Sequence, residues 1–109
     1  MSEVLKRGSS AQGLVDAFID ALWLEDGLSA NTLAAYRRDL GAYAGWLAGR
    51  SLAIEASTEA DLNAYFAARH ASTRASSSNR RLTVFKRFFR WALREGRVSR
   101  DPTLRMLAA

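Results

Sequence analysis

The sequence predicts an all-α fold, a compact bundle of four main helices plus a short C-terminal helix. Three observations predict it. Apolar residues recur at three- and four-residue spacing in four separate stretches, the pattern of helices with one buried face. No segment shows the strict alternation of a half-buried strand, and the single proline, Pro102, interrupts none of the four stretches. At 109 residues the chain has room for one domain around a single core.

Each element has its own signal. Leu14, Val15, Phe18, Ile19, Leu22 and Trp23 form one helical stripe opposite Asp16 and Asp20, and Gly27 is placed to stop that helix in a left-handed turn. Residues 1–11 carry no such stripe and are expected to be a flexible N-terminus, with 12–109 the folded domain. Ser29 reads as the N-cap of a second helix, whose stripe is Leu33, Tyr36, Leu40, Tyr43 and Leu47 and whose end is Gly49. Within it, Gly41 and Gly45 are expected to permit close approach of another surface. Residues 49–57 read as a loop. Thr58-Glu59-Ala60-Asp61 then makes a variant capping box for a third helix that carries Leu62, Tyr65, Phe66 and Arg69 on one face. From 71 to 78 the chain is polar and aperiodic. The fourth helix, from about Ser78 to Glu95, gives the strongest signal, and Gly96 ends it. Asp101 as N-cap and Pro102 at the first helical position predict the short fifth helix.

Composition narrows the function. Hydrophobic residues are 49% and charged residues 25%, an ordinary globular mix. There is no cysteine, hence no disulfide or thiolate metal site, which fits a reducing compartment and a cytoplasmic location. The first ten residues hold Lys6 and Arg7 but no apolar core of a secretory signal, and no apolar run is long enough for a membrane. His70 is the one histidine, Tyr36, Tyr43 and Tyr65 fall on apolar stripes, and neither a phosphate-cradling glycine loop nor a metal-ligand spacing occurs. No catalytic residue, cofactor or metal is therefore expected.

Charge is unevenly spread. The net charge is +5, but residues 1–66 sum to −4 and residues 67–109 to +9. On the fourth helix Leu82, Val84, Phe85, Phe88, Phe89, Trp91, Ala92 and Leu93 share an apolar arc, while Arg80, Thr83, Arg87, Arg90 and Arg94 run along the remaining side. Lys86 borders that stripe and Arg81 stands apart. Glu95 is the only acid the helix itself carries. An α-helix fits the major groove, where arginines reach guanine edges or phosphates, and the Ser76-Ser77-Ser78 run adds donors at the helix start. The second helix offers Asn31, Thr32, Arg37 and Arg38 off its core stripe. Both surfaces also admit a plainer reading, a solvated arginine face with serines that cap the helix.

Several motifs match a known family. Ala21-Leu22-Trp23-Leu24-Glu25, Gly27-Leu28-Ser29, Asn31-Thr32-Leu33 and Ala35-Tyr36-Arg37-Arg38-Asp39-Leu40 resemble the N-terminal region of Xer-type tyrosine recombinases. The likeness continues through Ser77-Ser78-Asn79-Arg80-Arg81-Leu82, Phe88-Phe89-Arg90-Trp91, Arg94-Glu95 and Asp101-Pro102-Thr103. This resemblance implies a SAM-like core-binding domain forming half of a clamp around a recombination half-site, with the second and fourth helices toward double-stranded DNA. Carried onto matching positions, the implied contacts are Ser29, Asn31, Thr32, Arg37 and Arg38, then Ser77, Ser78, Arg80, Arg81, Lys86 and Arg87. It further implies a sister recombinase protomer as partner, an isolated domain that is monomeric, and catalytic residues in a second domain absent from this chain. Three alternatives stay open: the corresponding domain of a phage or mobile-element integrase, a helix-turn-helix regulator across Asp26-Gly27-Leu28, and a helical module docking an acidic protein.

Overall fold

The computed structural model describes residues 2–70 and 74–108, without the side chains of residues 2–11. It contains α1 (Ser2–Asp26), α2 (Ala30–Ala48), a single 3-10 turn (Ile54–Ala56), α3 (Glu59–Arg69) and α4 (Ala75–Arg94), and no strand among the described residues. The radius of gyration is 13.6 Å, close to the roughly 13 Å of a folded chain of this length.

The apolar stripes become the core. Phe18, Tyr43, Tyr65, Phe85, Phe88 and Phe89 are its largest fully buried side chains, three of them from α4, which lies centrally. Their rings meet edge-on or tilted, as aromatic quadrupoles favour: Phe18 to Phe88 at 5.4 Å between centroids, Tyr43 to Tyr65 at 5.0 Å and Tyr43 to Phe85 at 5.1 Å. Burial pushes the Tyr43 phenol up to about 12, an effect the polar influence of Ser57 offsets only in part. Burial also raises Tyr65, against the lowering influence of the Arg69 and Arg81 cations. Among the described residues neither phenolic oxygen has a hydrogen-bond partner.

The helix ends follow the sequence closely at most positions. Gly27 adopts φ +62 directly after α1. The Ser29 hydroxyl accepts from the Thr32 backbone N–H at 3.2 Å, and Thr58 and Asp61 form the reciprocal capping box that opens α3. After α4, the Gly96 N–H donates to the Leu93 carbonyl at 3.1 Å and the Arg97 N–H to Ala92 at 2.7 Å. With Gly96 at φ +69, these two bonds make a Schellman motif. His70 caps the C-terminus of α3.

Other expectations are corrected. Helical backbone runs back to Ser2, while Met1 and the side chains of residues 2–11, where a flexible N-terminus is expected, lie outside the described residues. Part of the polar connection, residues 71–73, also lies outside them. Trp23 is 57% exposed because it leaves α1 on the edge of the stripe, and Leu93 is 43% exposed for the same reason on α4. Among the described residues a Cβ at Gly41 or Gly45 meets no atom within 4 Å, and both glycines line a groove against Gln12 and Val15 of α1. Gly49 does follow the last residue of α2, yet it keeps a right-handed φ of −62, and the left-handed residue is Ser51.

No fifth helix forms: residues 102–105 make a turn. Asp101 accepts from the Thr103 N–H at 2.9 Å and hydroxyl at 2.6 Å, as an N-cap would. The Thr103 carbonyl accepts from Lys86 Nζ at 2.6 Å and, in a single i to i+3 turn, from the Met106 N–H at 3.0 Å. Burial of Val98, Thr103 and Met106 holds the segment against the bundle.

Candidate nucleic-acid interface

Two ion pairs set the relation of α2 and α4. Arg80 bonds Asp39 through Nε at 3.2 Å and Nη2 at 3.1 Å, while one helical stretch further along α4 Arg87 lies 3.8 Å from Asp26, just ahead of the α2 cap. The helices therefore run antiparallel. The Arg80-to-Arg87 stretch of α4 lies beside the N-terminal half of α2, whose exposed residues include Ser29, Asn31 and Arg38.

The candidate residues divide on this geometry. Asn31 and Arg38 are exposed, and Arg38 makes no ion pair among the described residues. Thr32 is half-buried and its hydroxyl accepts from that of Ser29 at 3.0 Å, so Ser29 is committed chiefly to the helix cap. Arg37 leaves α2 about 200° around the helix from Asp39, and its guanidinium pairs with Asp16 of α1 rather than joining α4. Arg80 is exposed and Arg87 is half-buried.

Four candidates on α4 are engaged within the bundle or half-buried. Arg81 is 7% exposed, its guanidinium 6.0 Å from the Tyr65 ring centroid, and so is turned into the bundle. Lys86 is tied to the Thr103 carbonyl, which fixes the C-terminal turn. Because α4 starts at Ala75, one turn early, Ser77 and Ser78 are half-buried first-turn residues rather than caps. Ser78 lines a cleft with Glu59, Asn63, His70 and Arg105, on the α3 side.

The charge count on α4 alone also misleads. Asp39 from α2 and Asp26 and Glu25 from α1 come against its arginine row, with Arg94 at 3.4 Å from Glu25. Arg90 is exposed and makes no ion pair among the described residues, so it is the least compensated cation of the row. Asp39 escaped the sequence reading as a site residue. Its signal was its register, three residues after Tyr36 and four before Tyr43, which places a carboxylate at the edge of the core stripe.

Residues 15–96, three-quarters of the chain, match the phage integrase N-terminal SAM-like domain. The chain belongs to this family. It is 59% identical over 101 residues to tyrosine recombinase XerD of Ralstonia nicotianae, covering 93% of this chain and 33% of that protein. It is 42% identical over 94 residues to tyrosine recombinase XerD of Pseudomonas aeruginosa, covering 85% and 32%, and 42% identical over 91 residues to that of Proteus mirabilis, covering 83% and 29%. The chain thus spans about a third of the length of the curated relatives it matches.

Proposed function

We propose that this chain is the DNA-binding module of a Xer-type tyrosine recombinase and holds one recombination half-site. The observation that supports the reading is the antiparallel seating of α2 beside α4, bridged by Asp39 and Arg80, with Asn31, Thr32 and Arg38 on the first helix and Arg80, Thr83 and Arg87 on the second. Helix residues of these types recognise a duplex through base edges in the major groove and phosphates at its rim. Arg90 extends the cationic row. Recombination, for which the relatives are named, is on this reading assigned to residues outside these 109, and this stretch contributes binding. The partners on this reading are double-stranded DNA and a sister recombinase protomer, with the isolated domain monomeric and cytoplasmic.

A duplex titration at several salt concentrations tests it. Neutralising about five phosphates makes log K fall against log salt with a slope near −4.5. A slope of zero, or no retardation of any duplex at low salt, would sink the reading and favour a basic face that docks an acidic protein.

A further inference from the structure

We infer that Asp39 is a positioning residue for DNA binding: it fixes the guanidinium of Arg80 so that the free edge faces the duplex. This rests on the DNA-binding reading above. Asp39 is 7% exposed, yet it lies on the flank of α2 that faces α4 and gives one oxygen to Nε and the other to Nη2 of Arg80. A guanidinium carries five N–H donors in one plane. With two held by a buried carboxylate, the plane is set and three donors remain, on the side away from Asp39. The Arg80 side chain remains 47% exposed, so that edge is open to a partner.

The other carboxylates on this side are different. Asp26 and Glu25 are themselves exposed, and each meets its arginine through one oxygen, at 3.8 Å and 3.4 Å. Such pairs hold no direction and yield readily to water or to a phosphate. Asp39 has no comparable access to water. Losing Arg80 would leave its charge buried and unpaired, so the pair stays closed when DNA arrives.

Coulomb attraction and positioning predict opposite signs, which makes the inference testable. Asp39→Asn removes a negative charge beside the duplex, so electrostatics alone tightens binding. Positioning weakens it, because a freed Arg80 has to be ordered at the moment of binding.

The 109-residue chain is titrated with a fluorescently labelled duplex enriched on it from a random-sequence library, and each variant's melting curve is recorded separately. We expect Asp39→Asn to weaken binding by about tenfold, Asp39→Glu to fall between it and the unaltered chain, and Asp39→Asn with Arg80→Ala to bind no more weakly than Arg80→Ala alone. Tighter or unchanged binding by Asp39→Asn, or losses that multiply in the double variant, overturns the inference. Should Asp39→Asn fail to fold, Asp39→Glu decides. It keeps the charge and displaces the carboxylate by one methylene, so binding equal to the unaltered chain overturns the proposal. Failure of the broader reading looks different: the unaltered chain then enriches no duplex at all.

Discussion

The inner and outer faces of α4 are completed by different means. Inward, Val84, Phe85, Phe88, Phe89 and Ala92 pack against apolar side chains of the bundle, and the helix's own periodicity marks every one of them. Outward, Arg80, Arg87 and Arg94 are answered by Asp39, Asp26 and Glu25, carboxylates that belong to α2 and α1. Burial is written along one helix, whereas charge compensation is a property of which neighbours arrive. A basic stripe on a helical wheel is therefore a poor measure of surface potential until the adjacent helices are in place.

The inner face is the easier to break. Phe88→Ala leaves a cavity against Phe18 and Trp91, and we expect it to lower unfolding free energy by about 3–5 kcal/mol in a urea titration. Duplex affinity of the folded remainder is expected to stay as it was. A loss of affinity without a loss of stability would show that the two faces of α4 are not independent.

A smaller effect on the inner face depends on pH. Burial raises the Tyr43 phenol from 10.0 to about 12 in the folded chain, so the folded state holds that proton more tightly than the unfolded one. Its contribution is fully present below pH 10 and is lost as pH rises from 10 toward 12. For a shift of this size the loss is roughly 2–3 kcal/mol. Thermal melts across that interval are expected to fall steeply, and less steeply for Tyr43→Phe. Parallel curves for the two chains would remove Tyr43 as the cause.

The outer face responds least in stability, and its sign there sharpens the contrast. Glu25→Gln and Asp26→Asn release Arg94 and Arg87 from exposed partners, so unfolding free energy is expected to change by no more than about 0.5 kcal/mol. Duplex binding at low salt is expected to tighten two- to threefold, or by about 0.5 kcal/mol. Weaker binding would mean that these carboxylates act as Asp39 is inferred to act.

Much of this was legible in the chain because it is local. The stripe from Leu14 to Leu22, the Ser29 and Thr58 caps and the glycines at 27 and 96 depend only on spacing and on backbone geometry within a turn or two. Less local features misled. Asp101-Pro102 has the chemistry of a helix start, but residues 102–105 make only a turn, its Thr103 carbonyl bonded to the distant Lys86 ammonium. Arg81 differs from Arg80 by a single helical step of about 100°. That step separates a cation turned in over Tyr65 from one held at the surface.

By itself, the sequence determined the helical class, the order of the four helices and most of the apolar residues of the core. These follow from periodicity and end chemistry, which act between residues a few positions apart. The tertiary structure alone decided which arginines stay at the surface, which carboxylates oppose them and that Arg37 and Arg80 leave α2 and α4 toward different neighbours. The physical reason is range. A charge interacts with whatever the fold brings within a few ångströms of it, and Asp39 and Arg80 are 41 positions apart along the chain.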